Sequence, residues 1–457
     1  MSFQQGLSGL NASSRNLEVI GHNIANANTI GAKGSRAEFA DMYGVAFNGG
    51  VANVPGIGVN PGTIAQQFTQ GSISSTGNAT DLALSGPGFF QVTDGNNPTQ
   101  YTRNGQFKMD KDGYIVNNQG LKLLGYPANA AGLIQSGTAV PLQLPTSGID
   151  PTASSAVDLE ANLDSRVAPT TAAATPATAR IDVTDPTTYN NATSTTVYDV
   201  KGQPITVNYY FQKAATDTWN VYATANGQPI NGITTPTAEL ATNMAPIATI
   251  TFPSNGGNPI NPPGATGNVT PYTYSTTGTQ TVGTPVTTNG TFTLPDIPAV
   301  TLSTGGLSEP ITGMTLNLGT LTQYGTSFGV SKADVDGNAP GKLSGLTIEQ
   351  NGIVTARYSN GKTKAAGQIE LANFRNPNGL QPLGGNGWGT TSASGDPVRN
   401  VPGEGNLASI QSGAVEESNI DLTSELVNMM TAQRVYQANA QTIKTQDQIM
   451  STLVNLR

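Results

Sequence analysis

The chain has 457 residues, room for roughly two to four domains, yet only 11% of them are charged, against a usual share of about 25%. A formal charge of -8 gives no cationic footprint for nucleic acid or an anionic membrane surface, so neither is an expected partner. Cysteine is absent, which excludes disulfides, thiolate metal sites and thiol nucleophiles together.

Met1–Leu10 carries no charge and breaks its apolar residues with Gln, Gly and Ser, unlike a cleavable secretory signal. No run approaches the roughly 18 apolar residues of a membrane span. From about Gln4 to Ala27, Leu10, Leu17 and Ile24 stand seven apart, each followed three residues later by Ser13, Ile20 and Ala27. That spacing predicts a helix with one apolar seam. Gly21 inside it costs about 1 kcal/mol against Ala, so the helix depends on being packed. After His22 come Asn23, Asn26, Asn28, Thr29, Gly31 and Lys33, with Asn and Gly ending the helix. From Asn48 to Thr80 the composition predicts an extended connector with little core of its own.

Asp81 to Val92, with Phe89 and Phe90, opens a strand-rich domain. Tyr101–Phe107, Tyr114–Val116 and Leu121–Tyr126 are short strand candidates. Beyond about Ile149 the composition shifts, and Ser165–Arg180, nearly all Ala, Thr and Pro, reads as a surface loop. Ile205, Val207, Tyr209 and Phe211 alternate with polar residues, as do Trp219, Val221 and Ala223 across a short loop, which predicts a hairpin. A small antiparallel sandwich or barrel suits this region. Between Glu239 and Asp296 there is no charge at all, which reads as loops and edge strands on an outer surface. Asn351-Gly352 and Asn360-Gly361 are strong hairpin signals that predict a meander completing the domain begun at Asp81. Gly384–Gly405 reads as a Gly-rich passage, flexible around Gly384–Gly389.

Asp421–Arg457 is the longest helix-period stretch, about 50 Å at 1.5 Å per residue. Leu422, Met429, Tyr436, Ile443 and Met450 form one column at steps of seven, and Leu426, Gln433, Ala440, Asp447 and Val454 its partner column, the spacing of a coiled-coil seam. The sparse charge on its other faces implies that other copies of the chain cover them. The two terminal helices either pair with each other or dock separately on their own domains.

No constellation for covalent chemistry stands out. His22 is the only histidine and ends a helix. Gly361-Lys362-Thr363 lacks the glycine of a phosphate loop, Ala356 standing in its place. Asp110, Asp112 and Gly113, like Asp334, Asp336 and Gly337, read as Asp-Gly turns without the closing Glu of a calcium loop. No enzyme activity, metal or cofactor is expected.

The run through Asn23, Asn26, Asn28, Thr29, Gly31 and Lys33 resembles the N-terminal signature of the bacterial flagellar rod and hook family, and Ser35–Asp41 continues it. Ala32 departs from it, standing where the family usually has an aromatic residue. The Gly88-Phe89-Phe90 run and Asn406–Asn419 resemble later motifs of the same family, in the same order. The resemblance implies a mostly β, α+β chain of nested layout. Residues 1–30 would be the N-terminal helix of an inner coiled coil and 31–80 a connector. Residues 81–149 and 321–405 would form a split β domain, 150–320 an inserted outer β-sandwich or barrel, and 406–457 the C-terminal connector and helix. It further implies a subunit of the flagellar hook, a flexible tube that passes motor torque to the filament and encloses an export channel. Implied partners are other copies, the rod, hook-cap and hook–filament junction proteins, and the flagellar type III export apparatus. Implied assembly contacts are Leu10, Leu17, Ile20, Ile24, Leu422, Leu426, Met429, Tyr436, Ala440, Ile443, Met450 and Val454. A distal rod protein is the alternative within the family, and a secreted β-rich adhesin the alternative outside it.

Overall fold

The computed structural model describes residues 2–42, 58–170, 180–233, 244–260, 267–276, 278–287, 289–302 and 304–455. The chain divides into two compact units, Met1–Ser147 with Leu343–Arg357 and Thr363–Arg457, and Gly148–Lys342 with Tyr358–Lys362. Among the described residues it is mostly β with two α-helices, α1 (Ser2–Asn26) and α2 (Leu422–Asn455). Neither is long and apolar enough to cross a membrane.

In the first unit a 13-stranded sheet runs from Leu343–Ile348 through Ile353–Tyr358, Thr363–Ile369, Lys122–Pro127, Phe89–Thr93, Gln100–Thr102 and Gly387–Gly389 to Gln381–Gly384. Successive strand residues point to opposite faces, so the adjacent Phe89 and Phe90 serve different cores. Phe90 packs with Leu82, Leu84, Leu123 and Ile369 on one face. Phe89 joins Tyr101, Phe374, Trp388 and Phe68 on the other, with ring centroids 5.4–5.7 Å apart in edge-to-face pairs around Phe68, Phe89 and Trp388. The sheet is therefore covered on both sides at its centre.

Two short pairings bring the late chain back to the early chain. Ser409–Ser412 pairs with Leu82–Ser85, and Ala414–Glu416 with Ile73–Ser75. Asn351-Gly352 turns the hairpin of Leu343–Ile348 with Ile353–Tyr358 and Asn360-Gly361 that of Ile353–Tyr358 with Thr363–Ile369, Gly352 holding φ +80 and Gly361 φ +79. Several expectations change here. Of Tyr101–Phe107 only the first residues are strand, in Gln100–Thr102. The passage Gly384–Gly389 is no flexible loop but a hairpin between Gln381–Gly384 and Gly387–Gly389, with positive φ at Gly384, Gly385 and Asn386. Within the described part of the connector, Gly58–Gln66 pairs antiparallel with Ser35–Met42 as a two-stranded ribbon. Residues 43–57, expected as connector, lie outside the described residues.

The second unit has a 7-stranded and a 4-stranded sheet sharing one apolar core. Pro204–Ala215 and Thr218–Ala225 form the expected hairpin, and the alternating Ile205, Val207, Tyr209 and Phe211 are all fully buried. Residues 321–342 belong to this unit rather than to the first, because Gly329–Val335 pairs along Ala156–Asn162. In the loop expected at Ser165–Arg180, residues 171–179 are outside the described residues. The same holds for parts of the charge-free stretch.

Candidate functional site: paired terminal helices on a buried charge

The two ends of the chain meet. α1 and α2 run antiparallel, with Gly6 against Ile443, Gly9 against Asn439, and Asn23 within 3.4 Å of Glu425. Glycine brings the backbones close: a Cβ on Gly6 would lie 3.1 Å from Ile443 Cγ1, and one on Gly9 3.0 Å from the Asn439 amide. Ser13 Oγ donates to the Gly9 carbonyl at 2.8 Å and accepts from Asn439 Nδ2 at 3.3 Å. The buried face of α1 is thus Gly6, Ala12, Ser13, Val19, Ile20 and Asn23, while Leu10, Leu17 and Ile24 stay half-buried at its flank.

On α2 the covered residues are Glu425, Met429, Ala432, Asn439, Ile443 and Gln446. The column of Met429 and Ile443 is the one the spacing indicates. Its companion column is Glu425, Ala432, Asn439 and Gln446, one residue before Leu426, Gln433, Ala440 and Asp447. Ala440 is half-buried, Tyr436 and Met450 are exposed, and the side chain of Val454 lies outside the described residues. Leu422, Leu426 and Met430, one ridge at steps of four, are 42%, 45% and 54% exposed, with Val427 beside them.

Asp421 caps α2, its Oδ1 accepting the Thr423 N–H at 2.9 Å. The exposed hydroxyls of Thr431, Thr442, Thr445 and Thr452 each donate to the carbonyl four residues back, at 2.8–3.0 Å. This long surface is polar and poor in charge, with Arg434, Lys444 and Asp447 its exposed charged residues.

The signature residues work as a clasp where α1 ends. Asn23 brackets Ser35, accepting its N–H at 2.9 Å and donating to its carbonyl at 2.8 Å. Asn26 Nδ2 donates to the His22 carbonyl at 2.9 Å, and Thr29 N–H to the Asn26 carbonyl at 3.0 Å. Asn28 is exposed. Gly31 has φ +71, and a Cβ there would sit 2.6 Å from the Asn104 nitrogen, so both conformation and space require glycine.

Lys33 enters a fully buried ionic node. Its Nζ lies 2.6 Å from Glu416 Oε1 and donates to the Thr69 carbonyl at 2.7 Å. Arg103 reaches Glu416 Oε2 at 3.0 Å and stands over the Phe89 ring. Burial pushes the Lys33 ammonium below its usual 10.5, outweighing the upward pull of Glu416. Glu416 and Arg103 gave no sequence signal beyond being rare charges in a charge-poor chain. The close-approach glycines Gly6 and Gly9 signal themselves as a small-residue pair in a helix.

Beside the node, a cavity of about 550 Å³ opens between the end of α1 and the sheet, lined by Ala32 with Val19, Ile64, Leu380 and Trp388. Asp110 accepts the N–H groups of Asp112 and Tyr114 within its own turn, whereas Asp336 accepts those of Ser155 and Ala156 and so ties its segment to a distant strand. Among the described residues no group of three or more His, Cys, Asp or Glu could hold a metal.

The Salmonella typhimurium flagellar hook protein FlgE is 37% identical over 459 residues, with 100% of each chain covered. The chain belongs to the flagellar hook protein family. The Escherichia coli hook protein is 36% identical over 462 residues and the Borreliella burgdorferi one 31% over 483, each across the whole of this chain and 99% or more of the relative. Four family models match in order. They are the flagella basal body rod protein at 3–33, the flagellar hook protein FlgE/F/G D1 domain at 83–162, the flagellar basal body protein FlaE D2 domain at 162–338, and the flagellar basal body rod FlgEFG protein C-terminal at 411–456. The crystal structure of the Helicobacter pylori hook protein FlgE2 superposes with a TM-score of 0.46 at 15% identity, over 74% of this chain and 99% of that one. As a hook-family member the chain is a structural protein of the flagellum and not an enzyme.

Proposed function

We propose that the chain polymerises into the flagellar hook, a flexible helical tube that carries motor torque and encloses an export channel. The observation that carries this reading is the ridge of Leu422, Leu426 and Met430, left exposed in a hook-family chain whose α1 already covers the neighbouring face of α2. An apolar ridge beside a covered seam is the expected mark of a contact with another copy. The contact is heterologous and does not close into a ring, so it extends into a tube.

In this reading the paired helices form an inner layer, in the manner of a coiled coil. Residues 81–147 and 343–405 supply a middle layer and 148–342 an outer one, with the node-bearing connector between. Leu10, Leu17, Ile24, Tyr436 and Met450 add to the contacts between copies, while Ile20, Met429, Ala440 and Ile443 hold the pair itself. The charge-poor face of α2, its threonines bonded internally, suits a wall past which unfolded chains move. Export through the flagellar type III apparatus, and contacts with the rod, hook-cap and hook–filament junction proteins, belong to the same reading.

Electron microscopy of concentrated or salted-out protein tests it, with a chain lacking Met1–Gly31 and Asn419–Arg457 alongside. Hollow tubes from the full chain alone are the expected result. A full chain that stays monomeric under all those conditions contradicts it.

A further inference from the structure

We propose that Glu416 is a conformational lock that seats the paired terminal helices on the β-sheet of the first unit. One fully buried residue holds three separate segments directly and a fourth through Arg103. Its carbonyl accepts the Gly31 N–H at 2.8 Å, and its Oε1 accepts Lys33 Nζ at 2.6 Å and the Gly71 N–H at 3.0 Å. Its Oε2 accepts from Arg103 at 3.0 Å, and the other end of that guanidinium donates to the Gly86 carbonyl. Lys33 follows α1 and Glu416 precedes α2, 383 residues further on, so both helices leave the sheet from one carboxylate.

The node is separate from the helix seam. The helices are held by Gly6, Gly9, Ser13, Asn439 and Ile443, whose contacts across the seam do not involve Glu416. Removing the carboxylate therefore releases the joint without unpairing the helices. The charges are unequal as well: two cations share one buried anion. Glu416→Gln leaves two buried cations without a counter-charge, whereas Lys33→Met leaves the balanced Glu416–Arg103 pair. Uncompensated buried charge is the costlier defect, so the two variants differ in a defined order.

Amide hydrogen exchange on the full-length monomer reads the lock segment by segment. In Glu416→Gln, amides within 27–34, 67–72 and 414–421 exchange roughly tenfold faster or more, while Phe89–Thr93 and the middle of α1 and α2 keep their protection. Lys33→Met shows the same pattern more weakly. Unchanged exchange in either variant overturns the proposal, as does a Lys33→Met effect equal to or larger than that of Glu416→Gln. A Glu416→Gln chain that loses protection throughout the sheet also overturns it, because the node is then part of the core rather than a lock upon it.

Discussion

Ala32 is buried, with 4% of its surface exposed, yet it faces a cavity of about 550 Å³ floored by Trp388 and Leu380. Its departure from the family signature is legible in the chain, whereas the space that the departure leaves appears only in the fold. A larger apolar side chain entering that space gains buried area without displacing core atoms. Ala32→Phe is expected to stabilise the first unit by about 1 kcal/mol, seen as a thermal midpoint a few degrees higher. A lower midpoint would mean that the ring cannot enter. Lys33, next in the chain, was legible as part of a motif, but its partner was not. Nothing local relates it to Glu416, 383 positions away, and only the fold brings the two together. Gly31 was legible in kind, since a glycine after a helix predicts positive φ, while the backbone of Arg103 and Asn104 crowding it was not.

At the scale of elements, both terminal helices follow from periodicity, and the hairpins at Asn351-Gly352, Asn360-Gly361 and Pro204–Ala225 from turn chemistry and alternation. The face of α2 that meets α1 was legible only in its Met429 and Ile443 column. The companion positions Glu425, Ala432, Asn439 and Gln446 are small or polar, so a search for apolar recurrence passes over them and settles one residue later. They are covered because Gly6 and Gly9 let the helices approach until short side chains suffice. The residues left over, Leu422, Leu426 and Met430, are the large apolar ones. This division makes the faces separable by mutation. Ile443→Asp puts a carboxylate against Gly6 at a cost of about 3 kcal/mol, and is expected to strip protection from α1 and α2 in the monomer while Phe89–Thr93 stays protected. Helices that remain protected in that variant would contradict the pairing.

For the whole molecule, composition already excluded disulfides and argued against nucleic-acid and membrane partners, and chain order suggested an inserted β region. The bounds of the second unit were less legible, because Gly329–Val335 pairs with Ala156–Asn162 across a long stretch of intervening chain. In the proposed assembly the whole molecule polymerises through the apolar ridge that its own α1 does not cover. The most direct test is electron microscopy of the concentrated double variant Leu426→Asp, Met430→Asp beside the unaltered chain, with the monomer's thermal midpoint measured in parallel. The expected result is tubes from the unaltered chain and none from the variant, at midpoints that agree to within a degree or two, since exposed substitutions cost at most about 0.5 kcal/mol. Normal tubes from the variant would contradict assembly through this ridge.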